Sequence, residues 1–446
     1  MLTLTKLPQA GMILNYRGTT VICDPLFASP VKDVFALPAG FGVDGKELGE
    51  YRFQGIFISH SHVDHFDPES LLLLNKECPV YYPAGAVNIH QQLMIMGFRE
   101  TVAVKAGESY QVGEIEFHPI PSDVFFPEMG FIFRCGDQSV WNLVDANPKV
   151  ADLSGLVEKV GRPDCLLAQY QCLNERGVSR YHMRTEFPRE DYQQNLERVK
   201  VLRPRAVVPS SCDLYYAAEG WLNSHMFPVR RAQFLADINL CDASITGLAL
   251  ECGESAVIDE DGISPADSWG AIRPGKSALF VWRPDVAQYP VVDHSPVARE
   301  EITKFMAGTF ERLLFEMAHL GLAEFKKHQV SWKLRLICTD GTELVYGYRF
   351  SPEKKVAAED AGDWADIESL VGAGDLLAYA RGELHPSVFY GNGFARQFYR
   401  FYRVSDWQVT TELGKVGQIF LPTLILEKTA AAFRVERLKD RAHKIG

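Results

Sequence analysis

Residues 59–65 read Ser-His-Ser-His-Val-Asp-His, and what flanks them constrains the fold more than any other stretch of the chain. Just before them lies Gly55-Ile56-Phe57-Ile58, a short apolar run that reads as a buried strand. Just after them, Asp67 and Pro68 form an N-cap and first-turn proline, so Pro68–Asn75 reads as a helix. A strand end running into a capped helix holds the intervening loop stiffly. Four groups able to ligate a metal, His60, His62, Asp64 and His65, fall within six residues there. His60 and His62 are two apart, so extended backbone projects both imidazoles to one side. Asp64 and His65 fall where the chain turns into the helix and address a second position. Imidazole with carboxylate suits zinc or iron better than magnesium or calcium. A histidine-rich surface loop without metal is the alternative, and three of the chain's twelve histidines within six residues weigh against it.

The surrounding pattern predicts two domains in the 446 residues. Met12–Tyr16 and Thr20–Cys23 flank Arg17-Gly18 as a hairpin, and Glu114–Pro119, Gly130–Arg134, Val140–Val144 and Ala206–Val208 continue the strands. Glu190–Leu202 reads as a helix, so residues 1–255 form packed sheets covered by helices. Residues 256–284 are rich in Gly, Pro, Ser and Asp and read as a linker. Residues 285–430 read as an α+β domain, with an amphipathic helix at Ala298–Leu322. A hairpin of Trp332–Cys338 and Glu343–Phe350 turns there at Asp340-Gly341. Glu427–Gly446 reads as a solvated terminal helix, with 431–446 as a charged tail. The net charge of −11 disfavours nucleic acid and anionic membranes as partners. The run Phe394–Arg403 reads as a strand with its arginines outward. Nothing approaches the ~20 apolar residues of a membrane span. Nine scattered cysteines and no evident signal peptide predict a reduced, cytoplasmic protein.

The spacing His-x-His-x-Asp-His resembles the signature of the metallo-β-lactamase fold superfamily. The resemblance implies an αββα sandwich with a dinuclear site at one sheet edge. By the same resemblance, His60 and His62 would hold one metal and Asp64 and His65 the other. Asp24 in "VICDP" looks like the early aspartate that supports the site from behind, and Asp145 in "VWNLVDAN" like the later aspartate that bridges both metals.

The hydrolases of that superfamily add a third histidine before the bridging aspartate and a last one near the domain's end; here neither stands in the expected place. Glu128 occupies the loop before Asp145, with Asp123 as an alternative ligand, and Ser211 stands where the last histidine would, with His225 as a fallback. Three imidazoles and three carboxylates shift preference from zinc toward iron or manganese. "CDPLF", "ISHSHVDHFDPESL", "DVFFPEMGFIF", "WNLVDANP" and "LRPRAVVP" resemble, in order, segments of the catalytic domain of CMP-N-acetylneuraminate hydroxylase. The site is also similar to that of the di-iron chloramphenicol-pathway β-hydroxylase, in which a glutamate takes the third position. The sialic-acid hydroxylase carries a Rieske domain. This chain has no Cys-x-His pair, so an external ferredoxin or reductase is the expected electron donor.

Three functions follow as expectations. The first is a dinuclear non-haem iron oxygenase acting on a small polar or carrier-bound metabolite. The second is a zinc or manganese hydrolase of a lactone, amide or phosphodiester. The third is a non-catalytic metal-binding interaction protein. Tyr170, Gln171, His182 and Ser211 are the expected substrate-pocket residues, and a homo-oligomer would form through the C-terminal domain.

Overall fold

Met12–Tyr16 and Thr19–Cys23 pair antiparallel around Arg17 and Gly18, whose φ of 49° and 84° give the two-residue turn that matches strand twist. In the computed structural model this hairpin lies in an eight-stranded sheet. The model describes every residue except 30–33, 125, 174, 287–288, 318–322, 353–354, 360–364, 386–388, 390–393, 400–419 and 446. The sheet order is Ile263–Ala266, Ser255–Ile258, Leu2–Lys6, Met12–Tyr16, Thr19–Cys23, Gly55–Phe57, Val80–Pro83 and Thr101–Val104. A seven-stranded sheet follows the order Thr246–Gly247, Ala206–Ser210, Cys165–Gln169, Gln138–Asn142, Met129–Cys135, Ile115–Pro121 and Tyr110–Val112.

The layering follows from side-chain alternation. Leu14, Val21 and Phe57 of the first sheet share one buried cluster with Phe131, Phe133 and Leu167 of the second. Their neighbours point the other way. Ile13, Ile22 and Ile56 pack with Leu71 and Leu93 from the helices Pro68–Leu72 and Val87–Ile95. Ile132, Trp141 and Leu166 pack with Leu153, Val199 and Phe234 from Val150–Val160, Arg189–Leu202 and Arg231–Cys241. Both faces of both sheets are therefore buried, which is why the strands read as nearly continuous apolar runs. The result is the expected αββα sandwich.

The chain divides into two compact units, residues 1–173, 186–283 and 438–446 in one and 174–185 with 284–437 in the other. This corrects the expected boundaries. Residues 256–284 are no simple linker: Ser255–Ile258 pairs antiparallel with Leu2–Lys6, and Ile263–Ala266 pairs with Ser255–Ile258. Residues 431–445 are helical as expected, continuing Leu421–Ile445, but the helix is not simply solvated, since Leu438 is buried in the first unit's core. In the second unit the sheet order is Lys355–Glu359, Glu343–Ser351, Ser331–Ile337, Ile367–Gly372 and Ala395–Tyr399. The hairpin at Asp340-Gly341 forms as expected, while the pairing of Ser331–Ile337 with Ile367–Gly372 is parallel. The expected helix Ala298–Leu322 forms as Arg299–Phe305 and Glu311–Met317 joined by a π-turn, and residues 318–322 lie outside the described residues. Arg396 is buried rather than outward, and residues 400–403 lie outside the described residues. No helix among the described residues is long and apolar enough to cross a membrane.

Candidate metal centre

The ligand loop leaves the strand Gly55–Phe57, and Asp24 leaves the neighbouring strand Thr19–Cys23. Both strand ends lie in register, with the Asp24 amide donating to the Phe57 carbonyl at 2.8 Å. From the second sheet, Glu128 immediately precedes Met129–Cys135, whose Met129 amide donates to the Ser59 carbonyl at 3.2 Å. After Gln138–Asn142 the chain turns sharply at Val144, whose φ is 54° and whose amide donates to the Asn142 side chain at 3.0 Å. That turn carries Asp145 into the same edge. Asp67 caps the helix that follows the loop, accepting from the Ser70 amide at 2.9 Å.

Two ligand groups result, and they share one residue. Donor atoms of His60, His62 and Asp145 lie within 4.8 Å of one another, and so do those of Asp64, His65 and Asp145. His60 Nε2 is 2.8 Å from His62 Nδ1, and His65 Nε2 is 3.2 Å from Asp145 Oδ2 and 3.5 Å from Asp64 Oδ2. Glu128, its side chain 3% exposed, brings Oε2 to 3.9 Å from His60 Nε2, while its Oε1 accepts from Ser122 Oγ at 2.6 Å. His62 is exposed and Asp64 and Asp145 are part-exposed, so the cluster opens to solvent on one side.

Asp24 organises the imidazoles from behind. Its carboxylate accepts from the Ser59 amide at 2.8 Å, from Ser59 Oγ at 2.6 Å and from His65 Nδ1 at 2.9 Å. The Ser59 hydroxyl has a single proton, and the carboxylate takes it. At the 2.9 Å contact with His60, Ser59 Oγ must therefore accept from Nδ1–H. Both His60 and His65 thus turn Nε2 toward the cluster.

The residues fit a cation. Burial, reinforced by His65 and His62, holds His60 well below the usual imidazole range, so it stands neutral as a ligand must. Burial opposes charge on His65, yet Asp145 and Asp64 outweigh it and raise its pKa well above the usual value. Burial also opposes charge on Asp64, but His65 and the Gln9 amide hold it well below the carboxylate range. Burial and Asp145 push Glu128 up, against the Ser122 hydrogen bond. The carboxylates demand positive charge at this spot, and His65 Nε2 is buried there without a hydrogen-bond partner. A metal ion meets both demands.

The other expected site residues lie elsewhere. Asp123 is exposed and pairs with Lys149 at 3.3 Å, because it sits on the outer part of the loop that ends at Glu128. His225 lies in the short helix Asn223–Met226, its Nδ1 2.8 Å from the Arg283 carbonyl. Tyr170 and Gln171 are buried and hold backbone: Tyr170 donates to the Cys212 carbonyl at 3.0 Å, and Gln171 donates to the Val229 carbonyl and accepts from the Val229 amide. These contacts tie the two residues to the backbone at Cys212 and Val229. His182 belongs to the second unit, where its Nδ1 faces the Tyr289 amide at 3.4 Å. Ser211 does stand at a strand end, donating from Oγ to the Val144 carbonyl at 3.0 Å, beside the turn that presents Asp145. Two residues were missed. Gln9 donates to Asp64 Oδ2 at 2.8 Å, and Phe126 packs its ring 5.2 Å from that of His62. Phe126 neighbours the Pro-Glu-Met run and could have been suspected from it; nothing local marks Gln9.

Residues 19–210 match the family model of the beta-lactamase superfamily domain, a superfamily made up mostly of metal-dependent enzymes. A stretch of 178 residues is 28% identical to a Rieske 2Fe-2S iron-sulfur protein of Mycobacterium tuberculosis, covering 37% of this chain and 34% of that one. A protein of the same name from Mycolicibacterium smegmatis is 29% identical over 178 residues, covering 37% and 33%. The matched region spans about a third of the length of these curated relatives. Among solved structures, CmlA, a diiron beta-hydroxylase from Streptomyces venezuelae, is 20% identical with a TM-score of 0.41, covering 56% of this chain and 53% of that one. Igni18, a metallo hydrolase from Ignicoccus hospitalis, is 16% identical with a TM-score of 0.41, covering 57% and 97%.

Proposed function

Starting from a beta-lactamase superfamily domain at residues 19–210, we propose that this chain is a dinuclear non-haem iron oxygenase acting on a small polar or carrier-bound metabolite. The observation that carries the reading is Glu128, a buried carboxylate 3.9 Å from His60 Nε2 where zinc hydrolases of this fold present an imidazole. With Asp64 and Asp145 it makes three carboxylates against three histidines, a harder donor set that favours iron over zinc. His60, His62 and Glu128 would hold one ion, Asp64 and His65 the other, and Asp145 both. Bound iron would supply the redox chemistry with dioxygen.

The chain's own residues set the conditions for that chemistry. Asp24 fixes His60 through Ser59 and His65 directly, so both rings stay oriented and electron-rich at Nε2. The open side at His62, Asp64 and Asp145 gives substrate its approach. Phe126 beside His62 offers that approach an apolar wall. The mycobacterial relatives are named for a Rieske 2Fe-2S centre, which supports a redox setting, with the electron donor lying outside these 446 residues.

One observation favours a second reading, hydrolysis. Each ligand group here, His60–His62–Asp145 and Asp64–His65–Asp145, is a three-residue N/O set like those that hold zinc in hydrolases. Metal analysis of protein isolated without added metal decides between the two. Two irons per chain, with visible absorption that bleaches on dithionite and returns in air, is the expected result. Two zincs, with turnover of a chromogenic phosphodiester or lactone, would overturn the oxygenase reading.

A further inference from the structure

The turn between the first two strands reaches into the centre from a side that no ligand motif marks. Leu7–Gly11 closes with the Leu7 amide donating to the Gly11 carbonyl at 2.8 Å and the Gly11 amide to the Pro8 carbonyl at 3.0 Å. The turn lies directly on Asp24: a Cβ at Gly11 would stand 2.8 Å from the Asp24 carbonyl oxygen, so only glycine fits. Gln9 sits within it at a φ of 56°, a left-handed conformation that an unbranched side chain adopts only when its surroundings hold it there.

Every polar end of Gln9 is engaged. Its Nε2 donates to Asp64 Oδ2 at 2.8 Å, and its Oε1 accepts from the Asp213 and Leu214 amides at 2.7 and 3.2 Å. Its carbonyl accepts from the Ser211 amide at 3.0 Å and from Ser210 Oγ at 3.1 Å. The 210–214 segment so held is the strand end where Ser211 stands in place of a histidine. It is anchored further by Asp213, which is ion-paired with both Lys6 and Arg231.

We propose that Gln9 is a positioning residue that aims Asp64 at the second ion, tying that carboxylate to the strand end that contributes no ligand of its own. The inference rests on the dinuclear reading. The Asp64 oxygen that lies 3.5 Å from His65 Nε2 is Oδ2, the same one that accepts from the Gln9 amide, so the amide holds the carboxylate against the second ligand group in a single orientation. Without the amide, Asp64 on its part-exposed loop swings free and the second ion is held less firmly. The first ion, on His60, His62 and Glu128, does not depend on this contact.

The test measures metal retention, not turnover. Wild-type protein, Gln9→Met and Ser210→Ala are loaded with iron and dialysed against rising chelator, and bound metal is counted per chain. Gln9→Met is expected to fall from two equivalents to one at about tenfold lower chelator than wild type. Ser210→Ala loosens the same segment without touching Asp64 and is expected to keep both ions like wild type. If Gln9→Met fails to fold, Gln9→Glu takes its place: its carboxylate still accepts from Asp213 and Leu214 but cannot donate to ionised Asp64, and the same loss is expected. Retention of both ions at wild-type strength by the Gln9 variant overturns the proposal. Equal loss in Ser210→Ala overturns it too, since general loosening would then explain the result. A wild-type chain that never holds two ions overturns the dinuclear reading, and this inference with it.

Discussion

Glu128 and Asp123 stand five residues apart in one loop, and their surroundings separate them. Glu128 is almost wholly buried beside His60, while Asp123 faces solvent and pairs with Lys149. Glu128→Ala is expected to lose at least one metal equivalent while keeping its far-UV circular dichroism, and Asp123→Ala to keep both ions. Loss of metal from Asp123→Ala alone would reverse the assignment. The cluster at 60–65 was legible because its ligands are sequence neighbours on a loop set by a strand end and a cap. Gln9 was not, because its partner lies 55 residues away and a lone glutamine in a turn carries no pattern. A second residue-scale expectation concerns Asp375, fully buried in the second unit, where burial raises its pKa from 3.8 to about 6. A carboxyl raised in the folded state binds its proton there before the unfolded chain does. Its stabilising effect is therefore complete below about pH 4 and is lost as pH rises through about 6. The loss amounts to about 3 kcal/mol. Thermal melts of wild type between pH 4 and 7 should show a downward step that Asp375→Asn removes; parallel profiles for the two proteins would refute it.

Elements marked by local chemistry formed where the sequence put them. The Arg17-Gly18 and Asp340-Gly341 turns close their hairpins, and Asp67 caps its helix through Ser70. Segments whose identity depends on a distant partner were not legible in the sequence. Ser255–Ile258 is set in a Gly- and Pro-rich stretch that looks like a linker. It is a strand only because Leu2–Lys6 offers it an edge, with Leu2 opposite Ile258. The same long-range logic governs Asp213, which joins Lys6 on the first strand to Arg231 at the start of the helix Arg231–Cys241. Asp213→Ala leaves the fully buried Lys6 without its carboxylate, facing a part-buried Arg231 that keeps only Glu251. It should destabilise the first unit by about 3–5 kcal/mol in denaturant titration. A change under about 1 kcal/mol would show that water or local rearrangement compensates the pair.

For the chain as a whole, metal and fold should be thermodynamically linked. The ligands converge from both sheets, so a cation bound at their shared edge binds the folded state and not the unfolded one. At a hundredfold excess over its dissociation constant, one ion contributes about 2.7 kcal/mol. Chelation should therefore lower the melting transition of the first unit by roughly 5–10 °C. A melt indifferent to chelator would contradict a structural linkage of this kind. What the sequence by itself determined is whatever short-range chemistry encodes: the His-x-His-x-Asp-His loop, the caps and turns, and the apolar alternation that makes two sheets with both faces covered. Only the tertiary structure decided that Glu128 and not Asp123 lies beside His60, that residues 255–266 complete the first sheet and that Gln9 reaches Asp64. The physical reason is distance along the chain. A hydrogen bond or strand pairing between segments tens to hundreds of residues apart leaves no periodicity in either one, and it exists only once burial has brought them together.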